Sequence, residues 1–151
     1  MRLVIQRVKS SSISVNGGEP QRIGRGLCVL FCAGRGDTMD LIPKLAEKTA
    51  KLRIFEDENG KMNLSALDLG LSALVAPNFT LLADTSHGKR PSFIAAAEPS
   101  FARAAFEEFV LQLKSYGFAE FARGEFGADM LIDIENDGPV TIVMDTEDWK
   151  K

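Results

Sequence analysis

The chain is poor in the residues that most often carry enzyme chemistry. Its 151 residues hold one histidine, His87, and two cysteines, Cys28 and Cys32. So few His and Cys ligands cannot build a zinc cluster. Cys28 and Cys32 both fall in the apolar run 27–33, which reads as a buried strand. Residues four apart on a strand lie ~13 Å apart, and a disulfide needs Cα atoms within ~7 Å. The two therefore cannot bridge each other, and free buried thiols fit a reducing compartment. No apolar run approaches the ~20 residues that span a membrane. Residues 1–8 are too short and too interrupted by polar side chains for a signal peptide, which leaves the cytoplasm as the expected compartment. Glycine-rich phosphate loops of the Walker or dinucleotide type are missing. So is any large excess of charge: the net charge is −3, which excludes a non-specific nucleic-acid coat but not a local basic patch around a small piece of RNA.

What is present suits one soluble domain over residues 1–151. Residues 3–8 and 11–15 alternate as strands, the second a possible partner of the first, and Asn16-Gly17-Gly18 makes a turn. Residues 27–33 form a central strand. Asp37 or Thr38 can cap a helix over 39–52, with Pro43 in its first turn. Asp57 to Gly60 is a turn, 71–76 a second buried strand ending at Pro77, and 85–91 a polar loop. Pro99 opens a helix over 99–115, whose stripe of Phe101, Ala105, Phe109 and Leu113 is a core face, and Gly117 ends it. Residues 118–123 can form a strand. The runs 130–135 and 140–144 flank Asn136-Asp137-Gly138-Pro139, which reads as a hairpin turn. About seven mostly antiparallel strands and two main helices make the class α+β, with a curled sheet or partial barrel.

Catalytic candidates are sparse. A lone loop histidine such as His87 is usually solvated, and nothing places a nucleophile beside it. Thr80 follows a strand end, where a threonine and neighbouring N–H groups can position a water or an oxyanion. On position alone it is an ordinary β-branched residue. Lys89 and Arg90 can meet phosphate or simply keep their loop soluble.

Seven segments change the weight of these readings: Gln6-Arg7-Val8, Leu52-Arg53-Ile54-Phe55, Gly60-Lys61-Met62-Asn63, Phe79-Thr80-Leu81, Gly88-Lys89-Arg90-Pro91-Ser92-Phe93, Gly124 to Met130, and Asn136 to Thr141. In that order and spacing they resemble the D-aminoacyl-tRNA deacylases of bacteria and eukaryotes, over residues 1 to about 145. The resemblance implies an α+β homodimer, without cofactor or metal, that hydrolyses the ester between a D-amino acid and the 3′-terminal adenosine of tRNA. It also implies that glycyl-tRNA is a substrate. Gly138 and Pro139 would form a cis peptide reaching into the partner subunit's site, and Arg7 would hold that corner. Their fixed carbonyls would accept from the substrate's α-ammonium and collide with an L side chain. Phe79 and Thr80 would stand at the reacting ester, with Pro77, Asn78 and Met130 around the substrate and Lys89 and Arg90 on the tRNA. Chemistry would rest on the ribose 2′-hydroxyl and backbone N–H groups. The usual pattern has Ser and Gln where this chain has Pro77 and Asn78. Proline removes an N–H and a hydroxyl, and an animal-type relative with Pro there has a trans Gly-Pro bond and edits L-alanyl-tRNA. A second reading is therefore a tRNA acceptor-end binder with shifted or lost activity. A third is an unrelated small-molecule hydrolase that uses Thr80.

Overall fold

A computed structural model describes residues 1–150. Its spine is β1, Arg2–Val15, one strand of 14 residues. The two runs expected as separate, perhaps paired, strands are thus a single strand. On one edge β1 pairs antiparallel with β3 (Gly26–Cys32) through residues 2–8 and with β2 (Gln21–Ile23) through residues 11–13. Along its other edge lies β8, Met130–Asp145, antiparallel over nearly the full length. The expected hairpin at Asn136–Pro139 is absent: residues 130–136 and 141–145 both pair with β1. The turn chemistry is spent on a bulge instead. Gln6 faces Thr141 and Val8 faces Asn136, so Arg7 alone stands against the four residues 137–140. A proline, which has no N–H to give to a ladder, is accommodated at such an interruption.

Beyond β3 the sheet continues with β6 (Ser72–Pro77) and β7 (Phe121–Arg123), both parallel pairings. The expected mostly antiparallel character holds for the β1 pairings, and the parallel segment follows from two crossovers, one through α1 (Ile42–Ala50) between β3 and β6 and one through α2 (Pro99–Lys114) between β6 and β7. A close approach makes the β3–β6 pairing possible: a Cβ on Gly26 would lie 1.9 Å from the Ser72 carbonyl oxygen. Opposite ends of the curled sheet meet at Gln21, whose amide donates to the Arg123 carbonyl (3.0 Å) and accepts from the Arg123 N–H (3.2 Å). β4 (Phe55–Glu56) and β5 (Met62–Leu64) form a small separate pair around the expected turn.

Both faces of β3 are covered, which is why run 27–33 is continuously apolar. Inside the curl pack Val8, Ile13, Ile23, Cys28, Leu74, Ala76 and Ala122. On the outside Leu3, Ile5, Leu27, Val29 and Phe31 meet α1 (Ile42–Ala50) and α2 (Pro99–Lys114). Phe31 stacks on Phe109 of α2 at 5.0 Å between centroids. The helix expected over 39–52 is divided, with a 3-10 turn at Met39–Leu41 before α1. Thr38 precedes that turn without a side-chain cap bond. The Asp37 carboxylate accepts instead from the Gly34 N–H (2.6 Å) and pairs with the buried Met1 ammonium (2.5 Å).

Candidate active site

The parallel β3–β6 pairing carries Pro77 to the side of Phe31, and there the chain leaves the sheet. Pro77 has no N–H, and the next donor, Asn78 N–H, bonds to the Phe31 carbonyl at 2.7 Å. A 3-10 turn, Phe79–Leu82, follows at once. Arg2 fixes this turn from below. Its guanidinium donates to the Leu81 carbonyl (2.9 Å) and to the Asp145 carboxylate at the end of β8 (2.9 Å). The Thr80 hydroxyl, exposed, donates to the side-chain carbonyl of Asn78.

This turn forms one wall of a cavity of about 600 Å³. Pro77, Asn78 and Phe79 stand on one side, Phe126, Gly127, Ala128 and Met130 on another, and Phe31, Cys32 and Ala33 at the base. Phe93 closes on Phe79 edge-to-face, with centroids 5.2 Å apart. The walls can converge because residue 124 is glycine: a Cβ there would lie 2.6 Å from Met130 Sδ and 3.1 Å from Pro77 Cδ. The lining is mainly apolar, with Arg35 and Glu98 as its charged members. Size and polarity suit a flat organic group such as a nucleobase. Cys32 Sγ donates weakly to the Phe79 carbonyl (3.5 Å), and burial pushes its thiol up to about 11. It is therefore a protonated wall group at neutral pH rather than a nucleophile.

Four of the residues expected at the substrate, Pro77, Asn78, Phe79 and Met130, thus line one cavity. Thr80 lies at its rim, bonded to Asn78. The structure puts the others elsewhere. Lys89 and Arg90 are exposed on the loop 85–91, whose neck is closed by paired backbone bonds between Asp84 and Ser92 (2.8 and 2.9 Å). His87 sits on the same loop, exposed, with Nδ1 2.8 Å from Ser86 Oγ.

Gly138 and Pro139 are exposed at the β8 bulge and do not line the cavity of their own chain. Their peptide bond is cis, and Gly138 has φ +138. The corner is built from side chains on both strands. Buried Arg7 donates from Nε to the Asp137 carbonyl (3.0 Å) and from Nη1 to the Ile54 carbonyl (2.8 Å). Asn136 closes the neck: its side-chain Oδ1 accepts from the Val140 N–H (3.0 Å), and its Nδ2 donates to Gln6 Oε1. A Cβ on Gly138 would lie 2.8 Å from Val140 Cγ2 and 2.9 Å from Val140 N, so no other residue fits this corner.

The family model described as D-Tyr-tRNA(Tyr) deacylase matches residues 4–145. The chain belongs to the D-Tyr-tRNA(Tyr) deacylase family. It is a hydrolase by that membership. Relatives named D-aminoacyl-tRNA deacylase include one from Jannaschia sp. (strain CCS1), 51% identical over 97% of this chain and 99% of its own length. Another, from Lactobacillus helveticus (strain DPC 4571), is 46% identical over 96% and 99%. Among solved structures, one titled c-Myc DNA Unwinding Element Binding Protein superposes with a TM-score of 0.87 at 36% identity, over 96% of this chain and 98% of that one. A probable eukaryotic D-amino acid tRNA deacylase shares the fold, with a TM-score of 0.83 at 16% identity over 95% and 97%.

Set against the family, the cavity adds residues that the sequence reading left without a role. Phe93 and Phe126 lie inside two of the seven segments shared with the family, so a signal for them existed. Cys32, Ala96 and Ala97 carried none, because their exposure to the cavity depends on which face of β3 and which turn of the 93–98 segment point inward.

Proposed function

We propose that this family member hydrolyses the ester of D-aminoacyl-tRNA, as one domain in the cytoplasm acting as a homodimer. The observation that carries the reading is the presence, in one chain, of two incomplete halves. One is an open, mainly apolar cavity beside Phe79 and Thr80. The other is a braced, exposed Gly138–Pro139 corner with no occupant in its own chain. In the dimer the corner of one subunit enters the cavity mouth of the other. Its carbonyl oxygens accept from the substrate's α-ammonium. A rigid backbone there leaves no room for a side chain of L configuration, whereas a D side chain points away to solvent and glycine offers nothing to exclude. The terminal adenosine occupies the cavity, with Lys89 and Arg90 meeting the tRNA. The ester carbonyl lies at the 79–80 turn, where N–H groups take the developing negative charge. The ribose 2′-hydroxyl supplies the assistance that a general base would otherwise give.

A second reading rests on the Asn78–Thr80 bond. That bond occupies the Thr80 hydroxyl hydrogen and is accepted by a side chain one methylene shorter than the usual Gln. It suits a family member whose activity is shifted, for example toward L-alanyl-tRNA, or lost. Deacylation of D-tyrosyl-, glycyl-, L-alanyl- and L-tyrosyl-tRNA by the purified protein separates the two. Turnover of the D-tyrosyl and glycyl substrates with L-tyrosyl-tRNA spared supports the first. Binding without turnover, or L-alanyl cleavage alone, supports the second.

A further inference from the structure

Arg35 has no role in the reaction outlined above, yet it is the cationic member of the cavity lining. Its backbone is fixed from several directions. The Arg35 N–H donates to the Ala95 carbonyl (2.9 Å), Gly34 forms an antiparallel bridge with Ala96, and the Gly34 N–H is held by Asp37 (2.6 Å). Asp37 is already paired with the Met1 ammonium. The Arg35 guanidinium therefore turns to Glu98 across the cavity mouth, at 3.6 Å, with the two side chains 61% and 77% exposed. An ion pair that long and that solvated is worth little and exchanges readily for a better anion. A phosphodiester is a better anion for a guanidinium, because its two free oxygens match the fork of N–H donors.

We propose that Arg35 is a phosphate subsite at the mouth of the cavity, taking the phosphodiester that joins the terminal adenosine to the preceding nucleotide. This rests on the adenosine occupying the cavity, as in the proposed function. A mainly apolar pocket with an anchored but weakly engaged guanidinium at its rim fits a ligand with a flat base and an anionic group one linkage away. Lys89 and Arg90 do not line the cavity and cannot serve this position from where they stand. Glu98 competes for Arg35 when the site is empty and is displaced when it fills.

The test compares two substrates, D-tyrosyl-tRNA and the D-tyrosyl ester of adenosine, which lacks the phosphate. In Arg35→Ala the KM for the tRNA is expected to rise about five- to tenfold, the loss of one charge-assisted contact at a solvated rim. The rise is confined to KM and exceeds that for the adenosine ester by at least about fivefold on the same grounds. The slope of log KM against log salt should become shallower by about 0.7, one single-strand phosphate contact. Glu98→Gln, which frees Arg35, should lower the KM for the tRNA. A tRNA KM that does not move, equal rises for both substrates, or a loss confined to kcat each overturns the subsite while leaving the deacylase reading intact. Wild-type protein that hydrolyses neither substrate overturns both.

Discussion

Two places in the molecule interrupt a strand at a proline, and they are held in opposite ways. At Pro77 the chain leaves a parallel ladder, and backbone and framework contacts support the turn: Asn78 N–H on Phe31, and Arg2 on Leu81. At Pro139 the strand continues, and the bulge is held open by side chains from Arg7, Asn136 and Gln6. The first is a half-buried wall that depends on the sheet behind it. The second is an exposed corner that depends on a few polar contacts. The wall should therefore fail with the fold, whereas the corner should fail locally, and substitutions can tell these apart.

The largest effect is expected for Gly26→Ala, which would drive a methyl into the Ser72 backbone and separate β3 from β6. Overpacking against backbone costs about 3 kcal/mol, and thermal melting should fall by roughly 10 °C with the cavity wall lost as well. Next comes Arg7→Met. It leaves the Asp137 and Ile54 carbonyls without their donor and should cost about 2 kcal/mol in denaturant unfolding. Its signature is functional: hydrolysis of L-tyrosyl-tRNA should rise relative to D-tyrosyl-tRNA while both still bind. If discrimination is kept, the corner does not need its brace. Thr80→Ala is expected to slow D-tyrosyl-tRNA hydrolysis by about tenfold without abolishing it, the scale of one lost positioning contact. Complete loss with intact folding and tRNA binding would make Thr80 a nucleophile.

The smallest effect concerns the wall's thiol. Because burial raises the Cys32 thiol to about 11, it stays protonated at pH 8, and iodoacetamide should label the native protein far more slowly than the unfolded chain. Prompt labelling would show that the wall opens. Acid offers a check at the base of the same wall. Burial alone would raise the Asp145 carboxyl, but the Glu147 N–H and the Arg2 guanidinium outweigh it and hold it below its usual range. A folded-state pKa below the unfolded value adds stability that is complete above the unfolded pKa of about 3.9 and is lost as the pH falls through the folded value. Arg2→Met should flatten that part of the acid unfolding curve.

The contrast also explains which parts were legible in the sequence. The wall was readable because its signals are local: a short apolar run ending at Pro77, then a polar break. The corner misled because Asn-Asp-Gly between two alternating runs has the composition of a hairpin. Only the register against β1, distant in sequence, shows both runs on one strand. The unity of β1 was hidden because its odd positions change sides along the strand: Leu3 and Ile5 face the helices, whereas Ile13 enters the curl beside Val8. Helix positions came through because their 3.6-residue stripes are local, whereas the parallel β3–β6–β7 order depends on the two crossovers through α1 and α2.

β1 has one further consequence, for the order of assembly. It is made before every strand that pairs with it, and residues 2–8 can zip with β3 as soon as residue 32 has emerged. Its other edge must wait for residues 130–145. Pairings across such separations form slowly, because the intervening chain must be gathered before any contact rewards it. Until then β1 presents an open edge, the kind of surface on which nascent chains stick to one another. The Gly138–Pro139 corner takes shape only when that last strand docks, so a nascent chain carries the cavity wall before it carries the corner.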